Sequence, residues 1–314
     1  DPELVTVMVN GAEAALAELQ RLGVPFARKG EKYAQRLASG SSHPRTVYGV
    51  EDIGPRILHN LAEECRRQGV KLLRGAMVYA LLKDGESVSG ACAVHVRTGR
   101  LLTFSAPSVV LAAGGLGQLY DFTSYPKDIG GDGAAMAYRA GAVLQDMEFV
   151  QLEPLAVIFP TKIRGATMPT MLLGDGAHLV NAQGERFMFR HGPTGEKQVP
   201  KFVLNLAMAE EVAAGRGSPH GGAYLDATVL SSEVLDGYAD PRRVLRSVGI
   251  DLAGEPVEVA PTAHTQIGGV VIDADGRTSL AGLFAAGEVA CSAHGADRMA
   301  GNAGTEVVVF GDRA

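Results

Sequence analysis

Apolar residues near the start of the chain recur every three or four positions, which is the spacing of one helical face. The apolar positions are Leu4, Met8, Ala12, Ala15, Leu16 and Leu19. Asp1 stands where an N-cap is expected, and Gly23 and Pro25 follow the last apolar residue. The pattern therefore predicts an amphipathic helix that begins after Asp1 and ends before Gly23.

The pattern changes several times along the chain. Residues 26–50 have little periodicity and predict a loop, whereas residues 51–70 and residues near 199–214 predict two further helices. Between residues 71 and 115, apolar and polar residues alternate and turn sequences interrupt them, which predicts short antiparallel strands.

The two ends of the chain share a sequence pattern that the middle lacks. Apolar runs that end in glycines, "VVLAAGG" at 109–115 and "GLFAAGE" at 282–288, are typical of buried strands leading into loops. The segment in between is rich in Pro, Met and irregular turns. We therefore predict an α/β fold with an α+β insertion, divided into residues 1–150, 151–262 and 263–314.

Composition narrows the class of protein. The chain has 314 residues, of which 46% are hydrophobic and 40 are glycine, and its net charge is −6. This acidic balance gives no basic field for a nucleic acid. No apolar run is long enough to span a bilayer. Cys65, Cys92 and Cys291 are too few and too scattered for a disulfide framework or a zinc site, so we expect no metal and a reducing, cytoplasmic compartment.

Several glycine-rich stretches are candidates for contact with a ligand. Glycines after a buried strand, as at Gly114 and Gly115, stand where ligands bind at the carboxyl end of a sheet; the alternative is a tight turn. Asp132, between glycines at a helix start, is equally compatible with a helix cap. Glu288 ends an apolar run, and its carboxylate could bind hydroxyl groups or lie in solvent.

Three side chains are candidates for binding or converting a small acid. Arg298 lies among glycines in "GADRMAGN" and could hold a carboxylate through two parallel hydrogen bonds, and His264 could donate one more. Arg216 also lies between two glycines, although a surface turn with a solvated arginine explains the same pattern. A lone histidine is structural more often than functional.

Seven stretches in one order resemble the succinate dehydrogenase/fumarate reductase flavoprotein family, which includes L-aspartate oxidase. They are "VVLAAGGLGQLY", "GGDGAAMAYRAGAVLQDMEFVQLEP", "NAQGERFM", "AAGRG", "PTAHTQIGGV", "GLFAAGE" and "HGADRMAGN". The resemblance implies an FAD-binding, Rossmann-like domain interrupted by a capping domain, with the active site between them. The residues that it places at FAD are Ala113, Gly114, Gly115, Asp132, Glu288, Gly301 and Asn302.

The resemblance also implies a reaction. Hydride would pass between the flavin N5 and one carbon of a saturated or unsaturated carboxylic acid, while an arginine exchanges a proton with the adjacent carbon. His264 and Arg298 fall at the family's carboxylate-binding positions, and Arg216 falls at the proton donor. An iron–sulfur or cytochrome protein would serve as electron partner, and through it the protein could associate with a membrane.

Two positions depart from the family. Where the family usually has "QFHPT", this chain has "QLEPL", so Glu153 replaces a substrate-binding His and Leu155 replaces Thr. An ionised Glu153 would repel a second carboxylate. We therefore expect either a protonated Glu153 or an acid with one carboxylate and a neutral or cationic far end. The alternatives are an L-aspartate oxidase, whose substrate carries an ammonium group, and a catalytically silent flavin-binding or assembly module. The replacements at Glu153 and Leu155 are the features that favour the silent module.

The Gly-rich fingerprint that binds the pyrophosphate of a dinucleotide is missing, because no G-x-G-x-x-G follows a strand. The resemblance places that fingerprint before residue 1 and a helical domain after residue 314. The sequence is therefore expected to be a fragment of a longer flavoprotein.

Overall fold

The computed structural model describes residues 1–38, 40–49, 53–197 and 199–314. The α-helices are α1 (Pro2–Arg21), α2 (Ile53–Arg67), α3 (Asp132–Ala140), α4 (Met171–Asp175), α5 (Lys201–Ala213), α6 (Ser232–Asp236), α7 (Ala239–Arg246) and α8 (Asn302–Arg313). The strands are β1 (Arg28–Lys29), β2 (Lys32–Tyr33), β3 (Gln35–Arg36), β4 (Thr46–Val47), β5 (Ala76–Asp84), β6 (Ser87–His95), β7 (Leu101–Ser105), β8 (Val109–Leu111), β9 (Leu144–Gln145), β10 (Val150–Val157), β11 (His178–Val180), β12 (Ala223–Asp226), β13 (Val257–Gln266), β14 (Gly269–Val271), β15 (Leu283–Ala285) and β16 (Ala290–Cys291).

The three predicted helices are present. Asp1 caps α1, since its Oδ1 accepts a hydrogen bond of 2.8 Å from the backbone N–H of Glu3. The helices α2 and α5 lie within the predicted segments, although residues 51 and 52 of the second prediction are outside the described residues. The predicted loop at 26–50 instead contains the short strand pairs β1–β2 and β3–β4; its residues 39 and 50 are outside the described residues.

Besides the short pairs β1–β2 and β3–β4, antiparallel strands form two larger sheets in the described ranges. The predicted meander is confirmed as β5–β6–β7. A second sheet has the order β10–β13–β12–β11, in which β10 and β13 are distant in sequence but paired. This pairing joins the two ends of the middle segment, and it places side chains of β10 beside side chains of β13.

Among the described strands, parallel pairing occurs in two small sheets. The strands β8 and β15 pair in parallel, with Leu111 opposite Ala285. The strand β14 pairs in parallel with β16 and antiparallel with β9. The mixture of helices with parallel and antiparallel strands confirms the predicted α/β class with an insertion.

The buried apolar residues form two cores. Every fully buried member of the first core lies between Leu155 and Val259. The second core draws on α1, β8, α3 and the strands from Val270 onward, so it contains chain from both sides of the middle segment. The middle segment is thus packed on itself as an insertion would be, while the boundaries after residues 150 and 262 stay a prediction.

None of the helices in the described ranges combines the length and the apolar character that crossing a bilayer requires.

Candidate active site

The glycines after β8 and the glutamate after β15 leave the same edge of one parallel pair. Because Leu111 lies opposite Ala285, the segments that follow them run side by side. Gly115 lies against the side chain of Glu288: a Cβ on Gly115 would come within 2.9 Å of Glu288 Oε1. The carboxyl ends of parallel strands are where α/β folds bind their ligands.

The carboxylate of Glu288 is half-buried and hydrogen-bonded. Its Oε1 accepts a bond of 2.7 Å from the backbone N–H of Gln266 and another from the hydroxyl of Tyr125. Burial raises the pKa of Glu288, although these two bonds and the charge of Arg298 oppose the rise. Burial and the charge of Glu288 in turn raise the pKa of Tyr125. Glu288 is therefore not a solvated turn residue.

Two helix starts border this edge. Asp132 is the first residue of α3 and is exposed, while the following Gly133 packs so closely that a Cβ would lie 2.8 Å from the Cβ of Ala113. Gly301, at a φ of +89°, is the N-cap of α8, and only a residue without a side chain adopts this conformation readily. The structure thus brings together the predicted contacts after β8, after β15 and at the starts of α3 and α8.

The loop that precedes α2 also reaches this region. Arg45 donates a hydrogen bond of 2.8 Å to Asn302 Oδ1 and one of 3.0 Å to the carbonyl of Ala300. Two buried polar atoms here, Arg45 Nε in the loop and Thr46 Oγ1 at the start of β4, have no hydrogen-bond partner among the described residues. Buried groups of this kind are normally satisfied. Close-packed glycines and unmatched polar atoms at one edge fit a flavin, whose ring carries carbonyl and ring-nitrogen acceptors.

Two of the predicted substrate-binding residues, Glu153 and His264, lie on the paired strands β10 and β13. Gln151 lies opposite Thr265, and a register shift follows before Glu153 pairs with Thr262. A shift of this kind turns side chains to the other face of the sheet. Glu153 Oε2 consequently lies 3.9 Å from His264 Nε2.

His264 is held in its neutral form. Its Nδ1 lies 2.9 Å from the hydroxyl of Ser124, and burial, together with the charges of Lys201 and Arg298, lowers its pKa to about 3. A neutral imidazole that shares a hydrogen bond through one nitrogen has its other nitrogen left for a ligand. His264 is thus suited to hydrogen bonding and unsuited to acting as an acid.

Arg298 is a buried cation whose hydrogen bonds are incomplete. It is 6% exposed, and its Nη2 donates to Thr265 Oγ1 at 3.2 Å. Its Nε has no partner among the described residues. Gln151 Nε2 donates to the carbonyl of Arg298 at 2.7 Å and so fixes the backbone. A buried guanidinium with a free donor is suited to receive a carboxylate.

Glu153, His264 and Arg298 form a cluster with Lys201, a residue that the sequence patterns did not reveal. Lys201 Nζ lies 2.5 Å from Glu153 Oε2, and both side chains are buried. The one available signal was its position: a lysine at the first residue of α5 faces the positive end of the helix dipole, which is an unfavourable place for a cation without another purpose. Because Lys201 supplies a counter-charge to Glu153, a protonated Glu153 is not required, while the alternative of an acid with one carboxylate stays a prediction.

Lys201 and Arg298 line one cavity of about 150 Å³. Gly40, from the loop before α2, forms part of its wall. This volume is smaller than the roughly 300–1,000 Å³ of sites for drug-sized ligands, so it admits a compound of a few carbon atoms. A larger groove of about 630 Å³ between α1 and α8 contains none of the predicted site residues.

Comparison with known proteins identifies the family. The model of the FAD binding domain family matches residues 1–303. The chain belongs to the FAD-binding flavoproteins. It is 40% identical over 316 residues to a fumarate reductase (CoM/CoB) subunit of Methanothermobacter marburgensis, covering 100% of this chain and 58% of that protein. It is 34% identical over 317 residues to L-aspartate oxidase of a Synechocystis strain, covering 99% of this chain and 56% of that one.

Solved structures agree with this assignment. E. coli quinol fumarate reductase superimposes with a TM-score of 0.88 at 30% identity, covering 98% of this chain and 55% of that one. The expected resemblance to the succinate dehydrogenase/fumarate reductase flavoproteins, with FAD as the domain's cofactor, is confirmed. The chain spans a little more than half the length of these relatives.

Arg216 of this flavoprotein lies away from the cluster. Its guanidinium makes two bonds to Glu211, of 2.9 and 2.8 Å, near the C-terminal end of α5. Lys201 is at the other end of the same helix, about 15 Å away at 1.5 Å per residue. This placement contradicts the prediction that Arg216 donates a proton beside His264 and Arg298. An arginine between glycines marked a turn that is stabilised by an ion pair.

Leu155, the other departure from the family, lies outside the cluster. Its side chain is fully buried in the core of the middle segment. Its carbonyl accepts a hydrogen bond of 2.7 Å from the backbone N–H of Met168. The side chain therefore contributes to packing, and of the two departures only Glu153 belongs to the cluster.

Proposed function

We propose that the chain forms the catalytic part of an FAD-dependent oxidoreductase, in which hydride passes between flavin and one carbon of a small saturated or unsaturated carboxylic acid. The observation that supports this most is the buried Arg298, whose Nε lacks a partner among the described residues, on a small cavity that Lys201 also lines. That cavity adjoins the segment 300–302, which carries two of the predicted flavin contacts.

The residues that would hold the flavin are those at the edge formed by β8, β15, α3 and α8. They are Ala113, Gly114, Gly115, Asp132, Glu288, Gly301 and Asn302. Arg45 and Thr46 join them, because their unmatched polar atoms need partners. When bound, the flavin supplies the hydride donor and acceptor.

The chain's own residues would bind the acid and move the proton. Arg298 and neutral His264 hold the carboxylate and stabilise the negative charge that develops on it. Since His264 is neutral and Arg216 is distant, Lys201 is the acid nearest the bound substrate. When hydride reaches one carbon of the C=C bond, the electron pair moves to the adjacent carbon, which takes a proton from Lys201 Nζ. Solvent then returns the proton to Lys201, next to Glu153.

The site would lie between the two parts of the chain. Glu153 and Lys201 come from the insertion, residues 151–262, whereas His264 and Arg298 come from residues 263–314. We propose that the insertion acts as a cap over residues 1–150 and 263–314. An iron–sulfur or cytochrome protein would be the electron partner, and this partner rather than the described helices would bring the protein to a membrane from the cytoplasm.

An L-aspartate oxidase activity is less well supported by this geometry. Such an enzyme would use Glu153 to bind the substrate's ammonium group, but Oε2 of Glu153 already contacts Lys201 Nζ at 2.5 Å. A silent assembly module loses part of its basis as well, because Leu155 is a core residue and the anion at Glu153 has a counter-charge.

The test follows the oxidation state of the flavin. The flavin-loaded protein is reduced anaerobically, candidate unsaturated acids are added, and reoxidation is followed at the visible flavin band. We expect at least one acid to reoxidise the flavin, and Arg298→Met to retain the flavin but lose this response. If no acid reoxidises or perturbs the flavin, the silent module is correct; if aspartate reduces the oxidised flavin, the oxidase is.

A further inference from the structure

The cations at the cavity offer one unmatched hydrogen-bond donor to a carboxylate. Lys201 and Arg298 supply two cations, and Lys201 is already paired with Glu153 at 2.5 Å. Asp297 also lines the cavity and adds an anion. Among the described residues that line this cavity, Arg298 is the cation with an unmatched donor, its Nε, and a second carboxylate on the substrate would face Glu153 or Asp297.

The mouth of the same cavity is apolar. Phe202 follows Lys201 on α5 and is 61% exposed, and Met299 follows Arg298 and is 46% exposed; both line the cavity. Leu206 lies one helical turn beyond Phe202 on α5 and is 56% exposed. Large apolar side chains exposed together at the opening of a polar pocket are typical of a site that binds a ligand with an apolar part.

We propose that the substrate is an α,β-unsaturated acid with a single carboxylate and an apolar substituent on the far carbon. The carboxylate binds Arg298, the C=C bond lies near Lys201, and the substituent packs on Phe202 and Met299. This inference rests on the proposed function and adds the substrate class. The substituent takes no part in the reaction: hydride is added to one carbon, the proton from Lys201 to the other.

The test compares acids that differ only at the far end. Fumarate, crotonate and trans-2-hexenoate are assayed as oxidants of the reduced, flavin-loaded protein, and succinate, butyrate and hexanoate are titrated calorimetrically into the oxidised form. We expect kcat/KM and affinity to rise about fourfold per added methylene. We expect fumarate and succinate to be at least about tenfold poorer than the four-carbon monocarboxylates, because of the charge of Glu153.

Variants separate the two parts of the inference. Phe202→Ser and Met299→Ser should each reduce the gain per methylene, whereas Leu58→Ser, which changes an apolar residue of α2 that is 73% exposed and away from the cavity, should not. Glu153→Gln should narrow the gap between fumarate and crotonate.

Three outcomes contradict the substrate class. The first is a preference of the unmodified protein for fumarate over crotonate. The second is a kcat/KM that does not depend on the chain length of the acid, and the third is an equal loss of the gain per methylene in Leu58→Ser. Failure of every acid to reoxidise the flavin would instead contradict the proposed function, so the two failures are distinguishable.

Discussion

A buried carboxylate lies beside cationic side chains at each end of α5: Glu211 of the helix itself at one end and Glu153 of β10 at the other. Among the described residues, only the cluster at Glu211 has complete hydrogen bonding. At the C-terminal end, Glu211 accepts bonds from Nε and Nη2 of Arg216, a 2.8 Å bond from Asn181 and a further bond from Arg190, so each of its oxygens accepts two. At the N-terminal end, the bond between Lys201 and Glu153 stands beside an arginine with an unmatched Nε and a cavity.

The difference separates a structural network from a candidate binding site. A fully satisfied buried network rigidifies the fold and offers a ligand nothing to complete. An unmatched buried donor is costly unless something binds it, and a cavity of suitable size provides the room. Two similar ion pairs, Arg with Glu at one end and Lys with Glu at the other, therefore have different roles at positions about 15 Å apart.

The largest expected effect comes from removing the ammonium group of Lys201 at the N-terminal end of α5. Lys201→Met should lower the rate of acid-dependent flavin reoxidation by about 10²- to 10³-fold, because a positioned general acid contributes on that order. Arg216→Met, at the other end of α5, should change the rate by less than about threefold. Stopped-flow reoxidation of the reduced protein measures both.

Controls for Lys201→Met must deal with the buried glutamate left behind. An unpaired buried carboxylate destabilises a fold, so Lys201→Met is combined with Glu153→Gln, which removes the charge. The double variant should fold and still reoxidise its flavin slowly. In a separate variant, Lys201→Ala, added primary amines should partly restore the rate of flavin reoxidation. A fast double variant, or a slow Arg216→Met of unchanged stability, would show that the proton donor had been assigned to the wrong end of α5.

The next effect is on stability, and it concerns the other end of the helix. Glu211→Ala removes the acceptor of four hydrogen bonds, so we expect a loss of about 3 kcal/mol in the free energy of unfolding. Glu185→Ala changes a more exposed carboxylate of the same network, which is 58% exposed, and should cost less than about 1 kcal/mol. Urea unfolding of the two variants and of the unmodified chain provides the comparison; equal losses would mean that Glu211 is not the centre of the network.

The sequence predicted the elements better than it predicted the site. The periodicities of α1, α2 and α5 and the alternation of β5–β7 are local properties, and the structure follows them. The strand-and-glycine stretches at 109–115 and 282–288 also predicted buried strands that lead into loops, and the structure pairs these strands in parallel, while ligand binding at their edge stays a prediction. Local spacing carries this information because secondary structure and turn chemistry depend on neighbouring residues.

Lys201 and Arg216 show what local patterns cannot supply. Lys201 becomes a site residue only because β10 pairs with β13 and α5 packs over them, contacts between residues far apart in sequence. Arg216 stands in a suitable motif, but the partner that fixes it, Glu211, lies five residues earlier and only the fold shows that it is buried. Side-chain pairing, unlike helix spacing, has no sequence period.

The smallest effect concerns pH and distinguishes the two clusters without kinetics. Hydrogen bonds from Arg216 and others lower the pKa of Glu211 to about 2, whereas burial lowers that of His264 to about 3 from an ordinary value of 6.5. Both shifts are downward, so both groups contribute stability that is lost on acidification. The pH ranges of the two effects differ. The contribution of His264 to the free energy of unfolding begins to fall below pH 6.5, whereas that of Glu211 begins to fall only below about pH 4.5.

His264→Asn tests this assignment, because Asn can keep the bond to Ser124 but does not titrate. Between pH 6.5 and 5, the unmodified chain should lose up to about 1.4 kcal/mol per pH unit relative to the variant. The difference between the two chains cancels the contributions of other groups, among them Glu306, whose pKa burial raises to about 7 and whose effect has the opposite sign. Parallel stability curves would mean that His264 is not held neutral, and it would then compete with Lys201 as the acid of the site.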